Sequence, residues 1–141
     1  MKSDWKNEPL VVLDACALIA FFNDESGADV VAEILIQVPR VEIAAVNLLE
    51  IAYDAIRRTG LRSAATEIIE AALSLPIHVN WELDQEILEN AAAFKAFSRI
   101  SLADAVALGL ASTRQAPLAT SDHHEFEPIE AAGSCRFLWI R

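Results

Sequence analysis

The sequence predicts a three-layer α/β/α sandwich on a mainly parallel sheet of about five strands, and two observations carry that prediction. Short continuous apolar runs, the mark of strands buried on both faces, recur at 10–13, 42–46, 77–81, 117–120 and 136–140. Between them lie longer segments whose apolar residues repeat at spacings of three and four, the period of a helix with one buried face. Strands alternating with helices are joined by right-handed crossovers, so they run parallel and helices cover both faces.

Taken in order, Leu-Val-Val-Leu at 10–13 is the first strand, and "ACALIAFF" after Asp14 opens a helix. Val30, Val31, Ile34, Leu35 and Val38 mark a second helix, and after the 42–46 strand Leu48, Ile51, Ala52, Ala55 and Ile56 mark a third. An Ala-rich helical face spans 64–72. Leu83, Ile87, Leu88, Ala91 and Phe94 follow the third strand, and Leu102, Val106, Leu110 and Thr113 precede the fourth.

At 141 residues and 54% hydrophobic content, with four glycines and five prolines, the chain suits one folded domain, 1–141 with a core over about 10–140. It shows no internal repeat, low-complexity tract or Pro/Gly/Ser-rich linker. No apolar run approaches the ~20 residues of a membrane span, and "MKSDWKNEPL" lacks the apolar core of a signal peptide, so a cytoplasmic protein is expected. Cys16 and Cys135 lie far apart in apolar surroundings, which reads as free thiols and not as a disulfide or zinc site.

Parallel topology gathers every strand-to-helix turn on one edge of the sheet. Four acids map to that edge. Asp14 ends the first strand, where it reads as an N-cap. Glu50 follows Asn47 by three and Asp104 follows Ser101 by three, both the spacing of a capping box, in which the acid reaches back to the cap residue's amide. Asp122, after the fourth strand, reads alone as a turn residue. Each acid has a structural role, yet each role places it on the same edge. Clustered carboxylates raise one another's pKa values unless a cation sits among them, and oxygen-only ligands suit Mg2+ or Mn2+. Helix N-termini favour the ionised form.

These acids and their flanks resemble those of the PIN-domain ribonucleases, and most of all the VapC-like toxins of bacterial VapBC type II toxin-antitoxin pairs. The resemblance runs from about Leu10 to Ile140 and rests on "VVLDACALIAFF", "AVNLLEIAYDAIR", "SLADAVALGLA" and "LATSDHHEFEPI", the last with Phe126 downstream of its Thr-x-Asp element. It implies that Asp14, Glu50, Asp104 and Asp122 are the catalytic, metal-binding acids, with Asn47, Ser101 and Thr120 supporting them. It implies an endoribonuclease in which Mg2+, or Mn2+ in its place, activates a water against RNA and leaves a 5′-phosphate and a 3′-hydroxyl. Asp14, Glu50 and Asp104 would hold the principal ion, and Asp122 a second ion or the water. An antitoxin partner and a homodimer are implied too. Two departures stand out: Asn47 replaces the usual Ser or Thr, and "KAFSRI" ahead of Ser101 lacks the glycine of relatives.

A net charge of −10 opposes RNA binding unless basic rims or cations intervene. Between Glu89 and Asp122, Lys95, Arg99 and Arg114 face one acid, Asp104, for a local net of +2, so these three are the candidate RNA contacts. Arg57, Arg58 and Arg62 form a second basic cluster. His123 and His124 are weaker candidates for extra ligands or proton shuttles, since Mg2+ prefers oxygen. Trp5, Trp81 and Trp139 read as core or interface residues. Two other functions fit a chain of this kind: a catalytically silent PIN-like module that binds RNA or protein, and a receiver-type phosphoacceptor domain. The receiver fits poorly, because Asp54 lies within a helical pattern and Lys95 precedes Asp104. A haloacid-dehalogenase phosphatase needs an aspartate where Cys16 stands.

Overall fold

A computed structural model describes residues 5–141; residues 1–4, where the stretch read for a leader begins, lie outside the described residues. After a 3-10 turn at Trp5–Asn7, the described residues form five strands separated by seven helices, two after each of the first three strands and one after the fourth. The strands are β1 (Leu10–Leu13), β2 (Arg40–Ala44), β3 (His78–Asn80), β4 (Leu118–Thr120) and β5 (Phe137–Trp139). The helices are α1 (Ala15–Phe22), α2 (Ala28–Gln37), α3 (Ala45–Thr59), α4 (Ser63–Leu73), α5 (Gln85–Phe97), α6 (Leu102–Arg114) and α7 (His123–Ala131). All strand pairs are parallel in the order β3-β2-β1-β4-β5, which establishes the α/β/α sandwich.

The two-residue period of each strand deals its side chains to opposite faces. Val11 and Leu13 of β1, Val41 and Ile43 of β2 and Leu138 of β5 join α1 to α4 in one core. Val12, Ala44, Leu118 and Phe137 join α5, α6 and α7 in the other. A one-residue register slip in β1 would exchange the two sets.

Two glycines hold this packing where no Cβ fits. Gly27, at φ 96°, precedes α2, and a Cβ there would lie 2.8 Å from the Ile140 carbonyl oxygen. Gly109, inside α6, lets that helix approach α5 so closely that a Cβ would lie 2.9 Å from the Ala91 nitrogen. A helical glycine costs about 1 kcal/mol against alanine, and this contact is what it gains.

Strand order reverses between β1 and β4: the chain steps outward through β2 and β3, then returns to add β4 and β5 on the other side. A crevice opens at such a switch point beyond the carboxyl ends of the strands, the usual ligand position in an open α/β sheet. Asp14 directly follows β1 and Thr120 ends β4, so both stand at its floor.

An expected boundary moves, and an unexpected helix appears. The second strand, expected at 42–46, runs Arg40–Ala44, because the helix begins at Ala45 without any polar cap to announce it. Asp122, which alone reads as a turn residue, is followed directly by the helix α7, whose Phe126 and Ile129 are buried three residues apart despite Pro128 between them.

Candidate functional site

Asp14 is 2% exposed and caps α1: the Ala17 N–H donates to its Oδ1 at 2.9 Å. The Thr120 hydroxyl donates to the other oxygen, Oδ2, at 2.5 Å. Thr120 also accepts the Asp122 N–H at 3.0 Å, so one buried hydroxyl ties the ends of β1 and β4 to the start of α7. Asp122 in turn caps α7, accepting the Glu125 N–H at 3.2 Å.

Asp104 lies in the first turn of α6, whose N-cap Ser101 accepts the Asp104 N–H at 3.1 Å. This is one half of the expected capping box. The Asn47–Glu50 pair is not a box at all, because α3 starts at Ala45 and both residues lie inside it. Instead the Asn47 amide donates to Glu50 Oε1 at 3.1 Å and to the Ala103 carbonyl at 3.2 Å, linking α3 to the start of α6. Its own Oδ1 is buried and accepts nothing among the described residues.

Electrostatics mark the edge as deficient in positive charge. Burial pushes the Asp14 carboxyl up to about 7, against the pull of the Thr120 and Ala17 hydrogen bonds, and the charges of Asp104 and Asp122 add to the rise. Burial likewise raises Asp104 to about 6, opposed by Ser101 and reinforced by Glu50, Asp122 and Glu125. Burial also raises Glu50, against its hydrogen bond from Asn47. The Cys16 thiol is driven up to about 12 by burial and then by all four acids, so it is no nucleophile. The acids therefore lie within electrostatic reach of one another. As they stand, no group of three His, Cys, Asp or Glu side chains among the described residues is close enough to clasp one ion.

The basic candidates separate. Arg99 lies in the link between α5 and α6, exposed and with no hydrogen bond or ion pair among the described residues. Lys95 is spent on the scaffold, its Nζ donating to the Ile100 carbonyl at 2.5 Å. Arg114 ends α6, ten residues beyond Asp104 and so about 15 Å along the helix, where it pairs with the buried Glu42 at 3.2 Å. It is a structural residue and not part of the basic rim. Arg57 and Arg58 pair with Asp54, and Arg58 also with Glu25, which leaves Arg62 of that cluster without a partner among the described residues.

His123 does not face the acids. Its ring stacks on Trp139 with centroids 3.9 Å apart, and its two nitrogens meet the Arg141 carbonyl and Glu127, contacts that raise its pKa in that order. His124 lines a cleft beside the site. Trp81 is exposed, and both cysteines are free. Glu125, not among the candidate residues above, raises Asp104 and joins Asp122 through its amide. Its signal was present: Asp122 and Glu125 have the same three-residue spacing as Ser101 and Asp104.

Fold and site define a class: a parallel α/β/α sandwich with an oxygen-rich acidic edge at its switch point. The chain belongs to the PIN domain family, whose family model matches residues 11–130. No curated protein matches the chain. Solved structures do. A toxin-antitoxin complex from Klebsiella pneumoniae has a chain 21% identical, covering 84% of this chain and 92% of that one at a TM-score of 0.65. DNA-bound VapBC from Salmonella typhimurium is 17% identical, covering 93% and 98% at 0.70. Mycobacterium tuberculosis VapC20, a Sarcin-Ricin loop cleaving toxin, is 18% identical, covering 87% and 95% at 0.67. At these identities the likeness is one of fold. Among the described residues no helix is long and apolar enough to cross a membrane.

Proposed function

We propose that this chain is a Mg2+-dependent endoribonuclease, with Mn2+ as a substitute, and the toxin of a type II toxin-antitoxin pair. In this reading it works in the cytoplasm as a single domain over 1–141, as a homodimer held inactive by a cognate antitoxin. The observation that carries it is the set of acids Asp14, Glu50, Asp104 and Asp122 at the switch point, with Asp14 and Asp104 raised to about 7 and 6 and no basic side chain among the described residues bonded to them. Membership of the PIN family and the toxin-antitoxin complexes among similar structures support it.

The donor set fits a hard divalent cation, because every candidate ligand is an oxygen and Asn47 Oδ1 is a buried oxygen without a donor among the described residues. Asp14, Glu50 and Asp104 would hold the ion, with Asp122 completing the set. When bound, the ion supplies a Lewis acid that acidifies a water and offsets charge on the phosphodiester. The chain's own work is orientation. Thr120 fixes Asp14 and the amide of Asp122, Ser101 fixes the turn that carries Asp104, and Asn47 holds Glu50 against that turn.

Incubation of the purified chain with RNA tests the proposal. The expected result is internal cleavage that requires Mg2+ or Mn2+, leaves 5′-phosphates, and falls at least about a hundredfold in Asp104→Asn, a loss on the scale of removing a key charge-stabilising group. Cleavage that persists in excess chelator overturns it. Growth arrest on expression, relieved by a small neighbouring reading frame, is the expected sign of the toxin role.

A further inference from the structure

Beside the acids, a cleft of about 840 Å3 opens between the end of α5 and α7, within the ~300–1,000 Å3 of ligand pockets. Its walls include Phe94, Phe97, Ser98, Arg99, His124 and Glu125. None of the four acids lines the cleft, and one bond joins it to their cluster. Glu125 reaches it through its amide, which donates to Asp122 at 3.2 Å, and Arg99 lies two residues ahead of Ser101, the cap of the helix that carries Asp104.

Three features of the cleft point to one occupant. Phe97 is 89% exposed, the highest value among the large hydrophobic side chains described, and stacks on no other ring among the described residues. Phe94, one helical turn earlier, lines the same wall, so two aromatic side chains stand on one face of α5. Arg99 and Arg62 are the arginines whose side chains make no hydrogen bond or ion pair among the described residues, and of the two only Arg99 lines this cleft. In a chain of net charge −10, a free guanidinium next to an exposed ring is where an anion with an aromatic face is complementary. The link that carries Arg99 is held by the Lys95 bond to the Ile100 carbonyl, and α5 beneath it is tied to α6 by Asn90 donating to Thr113 at 2.9 Å. The guanidinium thus projects from a fixed backbone.

We propose that this cleft is a subsite for single-stranded RNA, in which an unpaired base flanking the scissile phosphodiester stacks on Phe97 and a neighbouring phosphate pairs with Arg99. The inference rests on the ribonuclease reading and deepens it, since it places substrate selection in the α5–α7 cleft and not on the acids. Unpaired bases are selected because a base in a duplex has no free face to offer a ring.

The test is binding of a fluorescein-labelled single-stranded oligoribonucleotide of mixed sequence to the full chain carrying Asp104→Asn, in Mg2+, read by anisotropy. Phe97→Ala is expected to weaken binding about tenfold, as loss of a base stack does, and Phe97→Trp to restore it with quenching of the new indole on binding. Arg99→Gln is expected to weaken binding and to lower the salt slope by about one phosphate contact. A duplex of the same sequence is expected to bind the parent and both variants alike. Unchanged single-strand affinity in both variants overturns the subsite. So does a shift from dimer to monomer in Phe97→Ala by sedimentation, which would make this wall an interface between copies. The two readings fail separately. If the Asp104 chain cleaves the same RNA with a KM that neither substitution moves, the subsite is wrong and the nuclease stands. If nothing is cleaved but the variants bind more weakly, the nuclease is wrong and the cleft stands as a single-stranded RNA site without a scissile bond beside it.

Discussion

Two buried carboxylates in this molecule meet opposite fates. Glu42, fully buried in β2, is met by two guanidiniums: Arg40 at 2.7 Å and Arg114 at 3.2 Å. Asp14, nearly as buried at the end of β1, is met by a hydroxyl and an amide, and its charged neighbours are other acids. A buried charge persists only if it is paired, well hydrogen-bonded or allowed to protonate. The fold supplies the cations for Glu42 and withholds them from Asp14. The contrast separates a carboxylate that locks α6 onto the sheet from one left to be matched from outside.

Breaking the paired site is expected to give the largest effect. Arg40→Ala with Arg114→Ala strands Glu42 in the sheet, and removing the partners of a buried ion costs roughly 3–5 kcal/mol. Denaturant unfolding is the measurement, and metal-dependent RNA cleavage per folded molecule is expected to stay at the parent level. A fall in that specific activity would tie Arg114 to the site after all.

The unpaired site is expected to behave in the reverse sense with pH. Asp14 is ionised above about 4 when unfolded but only above about 7 when folded, so between these values the folded state binds the extra proton. The Asp14 contribution to metal-free stability is therefore fully present below about pH 4 and is lost as pH rises from there through about 7, by an amount on the order of a few kcal/mol. Asp104, raised to about 6, adds to the same slope. Asp14→Asn is expected to stabilise the metal-free protein at about pH 8 and flatten the curve, and Mg2+ to raise the melting temperature of the parent more than that of the variant. A parent more stable at about pH 8 than at pH 5 without metal would show that Asp14 has a compensating partner.

Sharpening the contrast further requires touching what holds Asp14. Thr120→Val keeps the shape but removes the donor to Asp14 and the acceptor of the Asp122 amide, and a stranded buried polar group costs about 1–3 kcal/mol. Because that hydroxyl favours the ionised carboxylate, its loss moves the Asp14 titration upward, which carboxyl-carbon NMR of the metal-free protein reads directly. An unchanged titration would mean the hydroxyl serves structure alone.

The same contrast explains what the sequence exposes and what it conceals. The strand-helix alternation and the placing of Asp14, Asp104 and Asp122 are legible because each is set by a local pattern, a run or a cap, that the parallel topology then aligns, whereas Glu50 lies inside α3 and its capping spacing is coincidental. Arg114 misleads for the converse reason. In the chain it adds to a basic stretch, but its partner Glu42 is 72 residues away on β2, and the helix carries it away from the site. Asn47 shows the limit of a spacing rule: three residues before Glu50 it imitates a cap, yet the helix has already begun at Ala45, and its amide crosses to Ala103 instead. The helix at His123–Ala131 escapes because Pro128 and a largely polar stretch hide a period of which only Phe126 and Ile129 are buried.

The smallest effect is expected at the cap of α6. Ser101→Ala removes the acceptor for the Asp104 amide, and loss of an N-cap costs about 1 kcal/mol. The serine is exposed, so no cavity or stranded buried group adds to that cost. Ser101 also opposes the rise of Asp104, so its loss lets that carboxyl climb further above about 6. The variant should thus unfold slightly earlier and lose part of its affinity for Mg2+ at about pH 6, where Asp104 then carries more of its proton, while recovering that affinity at about pH 8. Calorimetric titration with Mg2+ at the two pH values separates the effects. An equal loss at both would mean that the cap sets the position of Asp104 and leaves its charge alone.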